Sequence, residues 1–241
     1  MPGARCLGGS WRRWVFSERA RTSLVEDGGL PSPLALGAWI SRLHAVVIPH
    51  GYFDHIGGMH AALNNSRPRE LWIGPLPPIP AFQALLEQAN NLAITIVRRS
   101  EGDLYEFGGT RVTVFAPPSD GQTATQPRNN DSLVLHFGCR DSLCLLEGHA
   151  EKNRRTKNVA QRVAARYHPR ADLLKVASQG GSQRKPDLDD PPGPPSQHSR
   201  WAIIAVGARN TFGHPRIEIL KRLQDAGTAT YHTDLNDAVI F

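Results

Sequence analysis

His50-Gly51-Tyr52-Phe53-Asp54-His55-Ile56-Gly57-Gly58 is the stretch on which the reading of the fold turns. Directly before it stands Ala45-Val46-Val47-Ile48, a short apolar run ended by Pro49. Such a run has the pattern of a strand buried on both faces. Two histidines and an aspartate within six residues thus follow a buried strand. The loop after a strand is where α/β folds place their ligands. Imidazole nitrogens and a carboxylate oxygen suit zinc or manganese. Gly57-Gly58 lets a following helix come close to such a site. The alternative is a polar loop with two incidental histidines.

Outward from this stretch, strands and helices alternate. A helix is expected over Met59–Leu63, a strand over Leu71–Ile73 and another over Ile94–Val97. Pro80 opens a helix in which Phe82, Leu85, Leu86 and Ala89 repeat at helical spacing. Tyr105 to Phe115 reads as a hairpin around Gly108-Gly109, with a loop from Pro117 to Arg128. Leu133–Phe137 and Leu143–Leu146 read as a second hairpin around Gly138. Lys152 to Arg166 has the composition of a basic helix, and Leu173–Val176 and Ile203–Val206 read as strands. Pro215 begins a helix carrying Ile217, Leu220 and Leu223 that Gly227 stops, and Val239–Phe241 closes as a strand. Hairpins break any strict βαβ rhythm, so an α/β sandwich with mixed sheets fits better than a doubly wound parallel sheet. Residues 1–22 show no period and are expected to be irregular, with the folded domain over 23–241. Within it, 179–197 is rich in proline and reads as a flexible loop.

Composition sets the bounds. The 241 residues are 40% hydrophobic and 21% charged, enough for one large domain. The net charge of +6 favours anionic partners, nucleic acid among them. Three cysteines, Cys6, Cys139 and Cys144, form no CxxC pair, which argues against a disulfide framework and a cysteine zinc site. No apolar stretch reaches the roughly 18 residues of a membrane span. No signal peptide is legible, so the expectation is a soluble chain, cytoplasmic by default.

Further motifs follow the first in order: Asn129-Asn130-Asp131-Ser132-Leu133-Val134, Leu146-Glu147-Gly148-His149-Ala150-Glu151, Asp172-Leu173-Leu174-Lys175-Val176-Ala177-Ser178-Gln179-Gly180 and Val206-Gly207-Ala208-Arg209-Asn210-Thr211-Phe212-Gly213-His214-Pro215. Thr233-Asp234 with Ala238-Val239 completes the series. Together with the opening stretch, these segments resemble the metallo-β-lactamase superfamily, and within it the C-terminal domain of ComEC-type DNA-internalisation (competence) proteins. The resemblance covers roughly residues 24–241.

The resemblance implies an αββα sandwich with two mixed sheets and metal-dependent hydrolysis of phosphodiesters. His50, Asp54 and His55 stand at family ligand positions, with Asp54 also orienting the nucleophile. Tyr52 stands where the family has His or Asp, and a neutral phenol with a pKa of about 10 is a poor zinc ligand. His149 replaces a ligand aspartate, and Ser178 and Gln179 replace a histidine pair. The implied cofactor is zinc or manganese, one ion rather than two, or none. Asn130, Arg209, Asn210 and His214 are the candidate substrate-binding residues, although His214 also fits a helix-capping turn before Pro215.

Between Lys152 and Arg170 lie seven basic residues and no acidic one, either a phosphate-contacting face or a solvated helix face. DNA is the candidate partner, and a membrane channel partner is implied by resemblance. Oligomeric state is not legible. The alternative, which the replacements support, is a scaffold or DNA-binding remnant without chemistry. A small-molecule hydrolase of the same fold fits less well, because the Asn-Asn-x-Ser and Gly-His-Pro segments point away from it.

Overall fold

The computed structural model describes residues 3–7, 13–18, 22–26, 43–49, 56–74, 79–107, 110–117, 132–139, 142–146, 148, 171–176, 199–206, 213–236 and 239–240. Among these residues two seven-stranded mixed sheets are present. The first contains β1 (Gly3–Leu7), β2 (Arg13–Glu18), β3 (Thr22–Glu26), β4 (Ala45–Ile48), β5 (Glu70–Ile73), β6 (Thr95–Arg98) and β14 (Val239–Ile240). Its order is β14-β1-β2-β3-β4-β5-β6, antiparallel from β14 to β3 and parallel from β3 to β6. The second contains β7 (Leu104–Phe107), β8 (Thr110–Ala116), β9 (Val134–Cys139), β10 (Ser142–Leu146), β11 (Leu173–Lys175), β12 (Trp201–Ile204) and β13 (Ala229–His232). They lie in sequence order across the sheet, antiparallel from β7 to β10 and parallel from β10 to β13.

Alternation along each strand builds the layers. Ala45, Val47 and Trp72 of the first sheet pack with Val112, Leu135, Phe137, Leu146 and Ile203 of the second in one buried cluster between the sheets. The intervening residues Val46, Ile48, Leu71 and Ile73 face the other way. They pack on Met59, Ala62 and Leu63 of α1 (Met59–Ser66) and on Phe82, Leu85 and Ala89 of α2 (Pro80–Asn91). On the outer face of the second sheet, Leu145, Leu174, Ala202 and Ile204 pack with Leu223 of α3 (Ile217–Asp225). The order helix, sheet, sheet, helix is the expected αββα sandwich. Each fully buried leucine, such as Leu63, Leu71 or Leu85, contributes about 2 kcal/mol by leaving water.

Several expectations change. Residues 1–22 carry no legible period, yet Gly3–Leu7 and Arg13–Glu18 are strands, so the irregular reading is corrected there. Their order comes from pairing: β1 lies between β2 and β14, and β2 between β1 and β3. Such tertiary context overrides weak local propensity. Gly138 is not the turn of the second hairpin. It sits in β9 opposite Leu143, and the last paired residues are Cys139 and Ser142. β13 and the short helix α4 (Thr233–Asn236) were not expected at all. The Pro-rich 179–197 stretch and the Lys152–Arg166 helix lie outside the described residues.

The end of the sandwich at which β4 begins is closed by a polar clasp. Trp72 Nε1 donates to Glu70 Oε2 at 2.6 Å, and the Arg99 guanidinium reaches the same oxygen at 3.5 Å. That guanidinium lies over the rings of Trp72 and Tyr105, 4.4 and 5.0 Å from their centroids. The Tyr105 hydroxyl and His44 Nε2 are 2.5 Å apart. Burial holds the His44 pKa below its ordinary 6.5, against the pull of Glu70 and with Arg69 and Arg99 adding to it. Burial, with Glu70, raises that of Tyr105.

Candidate metal centre

The opening motif begins at the other end of β4. All four β4 residues are buried, and Pro49 behind them is buried too. The chain re-enters the described residues at Ile56, 3% exposed in the core beneath α1, whose N-terminal cap is Gly58. The stretch 50–55 therefore connects the end of a central strand to the start of a helix.

Two other motifs start from the same place. Leu133 N–H donates to the Pro49 carbonyl at 2.9 Å, hanging the approach to β9 on the end of β4. Ser132 beside it is fully buried. Gly148 follows β10 with φ +57°, in the left-handed region. A Cβ there would stand 2.8 Å from Leu133 O, 3.0 Å from Ser132 Cβ and 3.3 Å from Pro49 Cβ. Only a glycine fits so close a backbone approach. Pro49, Ser132 and Gly148 thus meet, and in sequence they stand one residue from His50, two from Asn130 and one from His149.

Lys175, which sequence reasoning passed over, completes this corner. It ends β11, is 4% exposed, and its Nζ donates to the Gly148 carbonyl at 3.5 Å. A lysine at the end of Leu173-Leu174-Lys175-Val176 was the available signal, since a charge in an apolar strand is expensive unless it has a task.

The last motif is anchored one strand further on. Val206 N–H donates to Thr233 Oγ1 and the hydroxyl donates to Val206 O, both at 2.8 Å. This ties the end of β12, where the Gly207–Asn210 segment begins, to the start of α4. His232 Nδ1 lies 3.8 Å from Asp234 Oδ1, an oxygen that is buried with no hydrogen-bond partner among the described residues.

Of the candidate site residues, His214 is described. It is half-buried, two positions ahead of Arg216, the residue that caps α3, so the cap is not His214 itself. His50, Asp54, His55, His149, Asn130, Arg209 and Asn210 lie outside the described residues, as do Tyr52, Ser178, Gln179 and the basic run from Lys152 to Arg170. Among the described residues no group of three or more His, Cys, Asp or Glu side chains is placed to hold a metal ion. What the described residues give is the framework from which the motif segments leave.

No protein-family profile matches the chain. ComE operon protein 3 of Bacillus subtilis (strain 168) is 26% identical over 222 residues, 90% of this chain and 26% of that protein. The chain therefore spans about a quarter of this curated relative. Among solved structures, the metallo-β-lactamase fold protein YhfI from Bacillus subtilis superposes with a TM-score of 0.57 at 12% identity, covering 100% of this chain and 99% of that one. CmlA, a diiron β-hydroxylase from Streptomyces venezuelae, gives 0.59 at 14% identity, covering 100% of this chain and 54% of that one. These structural likenesses fix the fold. The chain has the metallo-β-lactamase fold and is similar in sequence to ComE operon protein 3.

Proposed function

We propose that this chain is a metal-dependent hydrolase of nucleic-acid phosphodiesters, related to DNA uptake, with a depleted metal site and weakened activity. The observation that carries the reading is the packing of Pro49, Ser132 and Gly148, from which the segments bearing His50, Asn130 and His149 depart. The donor chemistry fits one ion. His50, His55 and His149 supply neutral imidazoles and Asp54 a carboxylate, a set that suits zinc or manganese. Tyr52, Ser178 and Gln179 add nothing strong enough for a second.

The ion would lower the pKa of the attacking water and offset charge on the phosphate. Asp54 orients that water. Arg209, Asn130 and Asn210 are the side chains that would contact the phosphate oxygens, a guanidinium and two amides being suitable donors. His214, at the foot of α3, adds a further contact.

The test is elemental analysis of the purified protein together with a nuclease assay in added zinc or manganese. At most one equivalent of metal per chain is expected. Tyr52→His, His149→Asp and Gln179→His combined are expected to raise that stoichiometry and the cleavage rate. Two tightly held ions in the unmodified protein would overturn the one-ion reading.

A second reading is a scaffold or DNA-binding remnant that keeps the fold and lacks the chemistry. The replacements at Tyr52, His149, Ser178 and Gln179 favour it. DNA binding without cleavage under any metal is its expected result.

A further inference from the structure

We propose that the clasp of His44, Tyr105 and Arg99 is an acid-released latch between the two sheets: a proton on His44 loosens β7, the edge strand of the second sheet, from the first.

Tyr105 is the point at which β7 is held. β7 lies at the border of its sheet and pairs with β8. Its neighbours in the strand point to water: Leu104 is 56% exposed, and Glu106 meets Arg111 in an exposed ion pair. Tyr105, between them, turns inward and packs on the cluster between the sheets. There it meets three residues of the other sheet and its flanks. Its hydroxyl is 2.5 Å from His44 Nε2, just ahead of β4. Its ring stands edge-on to Trp72 of β5, centroids 5.2 Å apart. The Arg99 guanidinium, just past β6, lies 5.0 Å from its centroid.

The charges around His44 are set against a further cation. Burial holds the imidazole neutral; Glu70 opposes this, and Arg69 and Arg99 reinforce it. A proton there places a third positive charge beside the one carboxylate, Glu70, that acts on it among the described residues. It also removes any acceptor at Nε2, since both nitrogens of an imidazolium are donors. The imidazolium competes with Arg99 for Glu70, whose Oε2 already accepts from Trp72 Nε1. Relief comes when the ring reaches water, and that parts it from Tyr105.

An exposed His44 takes up its proton near the ordinary 6.5, and in the clasp it does so lower. The open form therefore gains on the closed one as pH falls from 6.5 to the lowered value. The gain is up to about tenfold per pH unit and stops below that value.

Hydrogen–deuterium exchange of the full chain, corrected for the intrinsic pH dependence of exchange, reads this opening strand by strand. From about pH 7.5 to about pH 5, β7 amides should lose protection by up to about tenfold per unit below 6.5, while β10 and β11 keep theirs. His44→Gln, which takes up no proton, should abolish the pH response of β7. Tyr105→Phe, which keeps the ring and removes the hydroxyl, should lower β7 protection already at neutral pH and shrink the response. An equal loss in every strand overturns the latch and leaves only a general effect on stability. Unchanged β7 protection across the range overturns it, as does a loss that persists in His44→Gln.

Discussion

A histidine kept neutral by burial couples folding to pH, and His44 is such a group. Its folded pKa lies below the ordinary 6.5, so in the interval beneath 6.5 the unfolded chain binds more protons than the folded one. Its contribution is complete above 6.5 and is lost as pH falls through the lowered folded value. The thermal midpoint is therefore expected to drop between about pH 7.5 and pH 5, and His44→Gln to make that drop shallower. A variant with an unchanged pH profile would show that His44 does not contribute. Gly148 makes the other residue-scale case. Gly148→Ala forces a Cβ to 2.8 Å from a carbonyl oxygen in a left-handed conformation. A loss of about 2 kcal/mol or more in urea unfolding is expected. An alanine variant within error of the parent would mean that the turn relaxes freely.

At the scale of elements, Thr233 is a joint. Its hydroxyl closes two hydrogen bonds to Val206, and the residue is 2% exposed. Thr233→Val keeps the shape and strands the Val206 N–H, an expected cost of about 1–3 kcal/mol by chemical denaturation. No change would place the joint's strength elsewhere. The elements themselves were unevenly legible in the sequence. β4 and β5 could be read because they hold short continuous apolar runs, and α1 and α2 because their burial repeats at 3.6 residues, as Met59, Ala62, Leu63 and Ser66 show. β13 could not. Ala229-Thr230-Tyr231-His232 has no apolar run, and it is a strand because β12 offers it a parallel partner. β1 and β2 were hidden for the same reason. The candidate site residues could be named from motifs, since spacing survives in a linear string, but all of them except His214 lie outside the described residues. What the string could not give was the meeting of Pro49, Ser132 and Gly148, which are separated by tens of residues, or the direction in which Lys175 points.

For the whole molecule, the charge of +6 makes an anionic partner the natural test. If the run from Lys152 to Arg170 contacts phosphates, DNA binding should be independent of sequence and fall steeply with salt. Arg154→Ala, Arg155→Ala and Arg162→Ala combined should flatten the salt dependence by up to about one unit of slope per lost contact. Unchanged binding in this variant would make the run a solvated helix face. The pairing of β1 with β14 has a consequence of another kind, one of timing. Arg5 lies opposite Ile240 and Cys6 opposite Val239, so one border of the first sheet joins segments more than 230 residues apart. A ribosome delivers β1 long before β14 exists. Throughout that interval one side of β1 offers bare amide and carbonyl groups to any strand it meets. The nascent protein thus passes through a sticky adolescence that ends only when β14 emerges, and a helper that shields exposed strands during synthesis would matter most then.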